Sequence, residues 1–257
     1  MSRRLDIVFR SCDRVDVHPE RGPRFIDAPK QVLIKKCFVS LLNSIELARD
    51  LADIYITVVD DNSSSELQEW MVARAEENGH KIKLEVCREV GYNYSALRQF
   101  KLCTDSEDLV YSVEDDYLHF PDAVKQMLVM TERFETMTGS RVAIRPDDDL
   151  FTYSVNSPHS RKHSLVFLGA DRHWRTLHCT HNTLFTHADV FKEHWELFAA
   201  LAKFFKKTSI NEDKSINMVW ERVPLFSPIP TLAVHVSQNN EPLFVDCKTL
   251  WESIDIS

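Results

Sequence analysis

The first half of the chain repeats one pattern: a short apolar segment rich in β-branched residues, a polar break, then apolar residues spaced for one face of a helix. LDIVFRS (5–11), DIYITVVDD (53–61), KIKLEVCR (81–88) and DLVYSV (108–113) read as strands. Between the first two, Val32, Leu33, Cys37, Phe38, Leu41, Leu42 and Ile45 fall on one helical face within residues 29–50, with Pro29 tolerated in the first turn. SSSE (63–66) fits a capping box from Ser63 to Glu66, opening a helix to about Asn78, and residues 93–103 make a shorter one. Strands alternating with helices are joined by crossovers, which leaves a mostly parallel sheet flanked by helices as the expected α/β architecture.

Beyond this region the expected elements are a helix from Pro121 to about Thr138, a strand at 141–146, and a less regular C-terminal half. That half holds a strand at 164–170, a polar and aromatic stretch at 171–185, helices at 187–205 and about 212–221, and a last strand at 230–237. No repeat or linker-like stretch divides the 257 residues, so one domain, 1–257, is expected. A hydrophobic content of 44% argues against disorder, and a net charge of −8 argues against a surface coated for nucleic acid, though a local basic patch is compatible with it. The start, MSRRLDIVFRSC, is too short in apolar residues for a signal sequence, and no run is long enough to span a bilayer, so a cytoplasmic protein is expected. The six cysteines form no CxxC pair and are expected as thiols.

Two strands end in acids. The second closes on Asp60 and Asp61, and the fourth runs into Glu114, Asp115 and Asp116, three carboxylates that repel one another unless something positive meets them. In open α/β sheets ligands bind beyond the carboxyl ends of the strands, so these acids would line one crevice. The same residues would also serve as turns or helix caps. Arg10 and Ser11 end the first strand, and GYNYSALRQF (91–100) adds Asn93 and Arg98 as polar and cationic candidates. Along TLAVHVS (231–237) alternation sets His235 on the face opposite Leu232, Val234 and Val236.

IYITVVDDNSSSE, GYNYSALRQF, VYSVEDDYLHFPDA, NEDKSIN and TLAVHVS, in that order, resemble the landmarks of GT-A-fold glycosyltransferases of the family 2 type. The resemblance implies a Rossmann-like half, about 1–120, that binds a nucleoside diphosphate sugar, and an acceptor-binding and catalytic half, about 121–257. It implies a Mn²⁺ or Mg²⁺ ion held by Asp116, with His235 completing the site. It further implies Glu114 or Asp115 on the ribose or a metal-bound water, and Asp60 or Asp61 on the base or ribose. Arg10, Ser11, Asn93 and Arg98 are the remaining donor-binding candidates. Asp213, with Glu212 beside it, resembles the family's general base, and an inverting reaction is expected on that assignment. The alternative for these two acids is stabilisation of a helix N-terminus.

Residues 159–187 gather Arg161, Lys162, Arg172 and Arg175 against one acid, Asp171, with six histidines. Trp174 could stack on a sugar or base and Arg175 could meet phosphate, so Asp171, Trp174 and Arg175 are the acceptor-binding candidates. An anionic acceptor suits this stretch: a glycan, a lipid-linked glycan, or a modified base in DNA, which would have to be flipped out. Two other classes compete. One is a metal-dependent hydrolase built on Asp115, Asp116 and His178, His181, His187 and His194, whose spacing matches no zinc motif. The other is a nucleotide-sugar-binding protein without turnover.

Overall fold

The computed structural model describes residues 3–14, 24–154, 162–169, 171–204, 212–237, 241–243 and 245–257. The first half runs β1 (Arg3–Ser11), α1 (Lys30–Glu46), β2 (Ala52–Asp60), α2 (Ser65–Glu77), β3 (Lys81–Val86), α3 (Tyr92–Asp105) and β4 (Leu109–Glu114). β1 lies between β2 and β4 and pairs with both in parallel. Its sequence explains that central place. Leu5, Ile7 and Phe9 enter one apolar cluster with residues of α1, α2 and α4 (Ala123–Thr138). Val8, on the other face, joins α3, α6 (Ala188–Glu193) and α7 (Trp195–Phe204). A strand buried on both faces reads as a continuous apolar run, which is what LDIVF is.

The second half supplies β5 (Tyr117–His119), β6 (Ala143–Ile144), α5 (Leu150–Tyr153), β7 (Val166–Phe167), β8 (His173–Leu177), β9 (Leu184–His187), β10 (Leu225–Ile229), β11 (Ala233–His235) and α8 (Cys247–Ser253). Among the described residues the main sheet has the order β3-β2-β1-β4-β9-β6-β10-β8-β7, and β5 and β11 form a separate antiparallel pair. Pairing senses make β8 and β9 run against the other strands, so the sheet is mostly parallel, as expected.

Several expectations need correction. The strand at 141–146 shrinks to Ala143–Ile144 and that at 164–170 to Val166–Phe167, with Ala170 outside the described residues. The single helix at 187–205 is two, broken by a turn at His194, and His187 belongs to β9; Phe205 lies outside the described residues. The helix at 212–221 is two 3-10 turns, Glu212–Lys214 and Ile216–Glu221. Helix α2 is capped one residue later than the capping box suggests: Ser64, not Ser63, accepts the Leu67 N–H, and Ser64 itself is held by Asp13. Arg161 of the basic stretch lies outside the described residues.

His119 is 1% exposed, with Nε2 2.7 Å from the Tyr111 hydroxyl. Burial pushes its imidazole down to about 3. A folded-state value below the unfolded value of ~6.5 means that the unfolded chain takes up the proton first. The neutral form's contribution is therefore full above pH ~6.5 and is lost as the pH falls toward 3, by about 2 kcal/mol at pH 5. Urea unfolding of wild type and His119→Gln at pH 7.5 and pH 5 should show a smaller acid loss in the variant. Equal losses would remove His119 as the source.

Candidate active site

The parallel strands deliver their C-terminal residues to one crevice. Register sets Ser11 beside Asp60 and Arg10 beside Glu114. Asp60 is fully buried: Oδ1 accepts the Ser63 N–H (2.7 Å) and Gln68 Nε2 (2.8 Å), while Oδ2 meets no hydrogen-bond partner among the described residues. The Ser11 hydroxyl is buried in the same condition. Asp61 accepts the Gly91 N–H at 2.9 and 3.1 Å, with Arg14 at 3.4 Å. Gly91 stands at φ 127°, which only glycine adopts without strain, and this turn starts α3 at the crevice.

Each member of the acidic triplet meets its own basic side chain. Arg10 pairs with Glu114, which also accepts Asn182 Nδ2 at 3.2 Å, and the Arg10 guanidinium lies 4.6 Å over the Tyr92 ring. Lys30, at the start of α1, reaches Asp115 at 2.5 Å, and the Cys12 N–H donates to the same carboxylate at 2.8 Å. His235 Nε2 lies 3.3 Å from Asp116 Oδ2. The β5–β11 pairing builds this last contact: it sets His235 opposite Tyr117, with the rings stacked 4.7 Å apart, 8° from parallel. Asp116 Oδ1 is shut off from solvent and meets no hydrogen-bond partner among the described residues.

Burial opposes ionisation of Asp116, but His235, Lys30 and Arg10 hold its carboxyl well below the usual range. For Asp115, burial, joined by Asp116 beside it, raises the value despite Lys30. Burial disfavours a charged His235, yet Asp116, with Glu114 and Asp147 beyond it, raises it above its ordinary value. Burial likewise pushes the Tyr92 hydroxyl up to about 12.

The remaining candidates scatter. Asn93 sits half-buried in the first turn of α3. Arg98, further along α3, forms a partly exposed pair with Glu85 of β3. Asp213 is exposed and accepts Asn217 Nδ2 at 2.9 Å, while Asn217 Oδ1 takes the Thr180 N–H at 3.0 Å. Glu212 opens the same 3-10 turn and is half-buried. Asp171 is exposed and 3.3 Å from Gln126. Trp174 does not offer a face to an acceptor: it is 1% exposed and packs edge-on against Phe134 at 5.6 Å, because its position on β8 points it into the core. Arg175 pairs with Asp148.

Sequence reasoning passed over Lys30 and Asn182, which carry no motif of their own, and Tyr92, which lies within GYNYSALRQF but is not singled out there. It also passed over RPDDD (145–149), where the signal was present: another strand that ends in acids. There Arg145 bridges Asp147 and Asp149, and all three are buried. The four histidines weighed for a hydrolase do not gather. His187 pairs with Glu135 (2.7 Å) at the level of Leu109, the far end of β4; His178 contacts the His163 carbonyl; His194 sits in a turn; and His181 lies near His235 at 5.8 Å between rings.

Among the described residues no cluster of three or more acids, histidines and cysteines is arranged to hold a metal. A two-ligand site is a different case. Asp116, with a buried unpartnered oxygen, and the His235 imidazole beside it form an oxygen and nitrogen donor set that suits Mn²⁺, and Mg²⁺ sites commonly complete their shell with substrate phosphates.

Neither a protein-family model nor a curated protein matches the chain. Solved structures do. The chain is similar to an apo UDP-glucose pyrophosphorylase (TM-score 0.52, 10% identity, 91% of this chain and 93% of that one). It is similar to S. aureus TarS 1–349 (TM-score 0.51, 12% identity, 87% of this chain and 60% of that one), also solved with UDP. Glucosyl-3-phosphoglycerate synthase from Mycobacterium tuberculosis matches at TM-score 0.34 and 18% identity over 56% of this chain, which spans 43% of that one. The fold is GT-A-like. Identities this low establish the architecture and nothing finer. No helix among the described residues is long and apolar enough to cross a membrane.

Removing Arg145 leaves two carboxylates buried and uncompensated. Arg145→Met should therefore destabilise the protein by about 3–5 kcal/mol in urea unfolding. Arg98→Ala, which breaks a partly exposed pair, should cost at most about 1 kcal/mol. A similar cost for the two would show that the Arg145 cluster is not a structural ion cluster.

Proposed function

We propose that the protein is a glycosyltransferase that moves a sugar from a nucleoside diphosphate sugar to an acceptor hydroxyl, in a single domain whose donor half ends near residue 120. The carrying observation is a pair of buried carboxylate oxygens, Asp60 Oδ2 and Asp116 Oδ1, that meet no hydrogen-bond partner among the described residues and stand at or just beyond the C-terminal ends of two strands that flank β1. Two such ends stand roughly 10 Å apart. An unmet acceptor costs about 1–3 kcal/mol, so a ligand that donates to Asp60 and a cation that binds Asp116 would each recover it. Asp60, with Ser11 beside it, receives the base or ribose. Asp116 and His235 hold Mn²⁺ or Mg²⁺, which when bound offsets the charge on a departing diphosphate. The likeness to UDP-glucose pyrophosphorylase and to TarS with UDP supports a uridine donor.

Asp213 takes the acceptor hydroxyl's proton, with attack from the face opposite the leaving group. Support comes from the way Asn217, itself tied to the Thr180 N–H, orients its carboxylate. Arg10, Lys30, Glu114 and Asp115 then shape the pocket around the diphosphate and ribose, because their mutual pairs hold alternating charge at the crevice. Nucleotidyl transfer is the second reading, favoured by the pyrophosphorylase likeness over 93% of that chain. The composition disfavours it: with five glycines in all, the chain has no glycine-rich loop to cradle a triphosphate.

Stabilisation of the protein by UDP-sugars in a thermal-shift series should have a Mn²⁺-dependent part that Asp116→Ala abolishes. An undiminished shift in that variant would end the metal assignment. Asp213→Ala should retain donor binding and lower transfer at least ~100-fold, and unaltered turnover would exclude it as base. Pyrophosphate-dependent consumption of the donor would favour the second reading.

A further inference from the structure

A cavity of about 250 Å³ opens beyond β8, lined by Tyr153, Lys162, Ser164, Arg175 and His178, among others. The function proposed above does not use it. In a chain with a net charge of −8, its lining is cationic. The Arg175 side chain is 9% exposed and lies 4.4 Å over the Tyr153 ring. Its Nη2 is taken by Asp148, whose other oxygen accepts the Tyr153 hydroxyl at 2.7 Å. Asp148, the acid that meets Arg175, is thereby already satisfied. Arg175 Nε is shut off from solvent and meets no hydrogen-bond partner among the described residues, so the guanidinium is turned to the cavity by its other edge. A guanidinium at a cavity wall, with the Lys162 ammonium on the same lining, makes a site for an anion with several acceptor oxygens.

Size and position narrow the ligand. The volume lies a little under the ~300 Å³ at which pockets for whole small molecules begin, so it fits a charged group rather than an entire acceptor. From His178 on its wall, the chain passes Cys179, whose sulfur is 3.9 Å from Arg145, and reaches Asn182, which donates to Glu114 in the donor crevice. Four residues span at most roughly 14 Å. One acceptor could therefore place an anion here and a hydroxyl at the crevice. Directly after Ser164, which lines the cavity, the chain carries an exposed apolar rim of Leu165 at 66%, Val166 at 57% and Leu168 at 82%. Ser164 and Leu165 are tied to β8 by hydrogen bonds of 2.9 Å to Thr176, which seats this rim against the cavity.

We propose that this cavity binds a terminal phosphate group, and, resting on the transferase reading, that the phosphate belongs to the acceptor. Isothermal titration of the full chain with inorganic phosphate in EDTA, which removes any cation from Asp116, tests the cavity by itself. Binding should weaken about tenfold in Lys162→Glu, an exposed substitution that leaves Asp148 paired, while binding of UDP with Mn²⁺ is retained. Hexyl phosphate separates two sources of the group. Tighter binding than inorganic phosphate, lost in Leu165→Ser with Leu168→Ser, indicates a lipid-like head group on the apolar rim, and equal binding indicates a soluble phosphate ester. Either result supports the site. Absence of phosphate binding, or equal affinity in wild type and Lys162→Glu, overturns it without touching the donor site. Phosphate binding without any binding of UDP or UDP-sugars would instead retain the cavity and remove the transferase reading.

Discussion

Three adjacent carboxylates at the mouth of a sheet are tolerable only because three basic side chains reach them from separate parts of the chain. Arg10 comes from the end of β1, Lys30 from the first turn of α1, and His235 from β11, more than a hundred residues further on. Each ion taken from water costs several kcal/mol, and only close opposite charge offsets that. The triplet therefore does structural work before any ligand arrives: it anchors the start of α1, the end of β1 and the β5–β11 pair against β4. The stacked Tyr117 and His235 rings add an apolar contact to the ionic one.

Ion clusters in this protein fall into two kinds. Around Arg145, one guanidinium bridges Asp147 and Asp149 in a buried brace between β6 and α5, and Asp147 Oδ1 meets no hydrogen-bond partner among the described residues. Around Asp116 and Asp60 the balance is incomplete, since each carboxylate keeps one buried oxygen that no described residue meets. An unmet carboxylate oxygen is common to both kinds, and what sets Asp60 and Asp116 apart is their place beyond the C-terminal ends of two strands that flank β1. RPDDD and VEDD are equally acidic in sequence, and in each an arginine meets an acid, Arg145 in the first and Arg10 in the second.

The four parallel strands and the helices between them were legible because a central strand buried on both faces needs a long apolar run, and LDIVF, IYITVV and DLVYSV have one. The strands of the second half escaped notice or shrank for the opposite reason. LFSPI carries Pro228, TLFTH is four residues of strand among histidines and threonines, and YLH is shorter than any periodicity can reveal. Trp174 misled through residue type: a tryptophan in a basic stretch suggested a stacking platform, but its place on β8 turns it onto Phe134 in the core.

By itself the sequence determined that acids would cluster at strand ends and that those strands would lie parallel, since both follow from local pattern and the need of each helix to return the chain. Only the tertiary structure decided which cation meets which acid, which carboxylate oxygens remain unmet, and that Arg175 lines a cavity within reach of the crevice. Those outcomes depend on contacts between residues far apart in the chain, and local pattern holds no record of them.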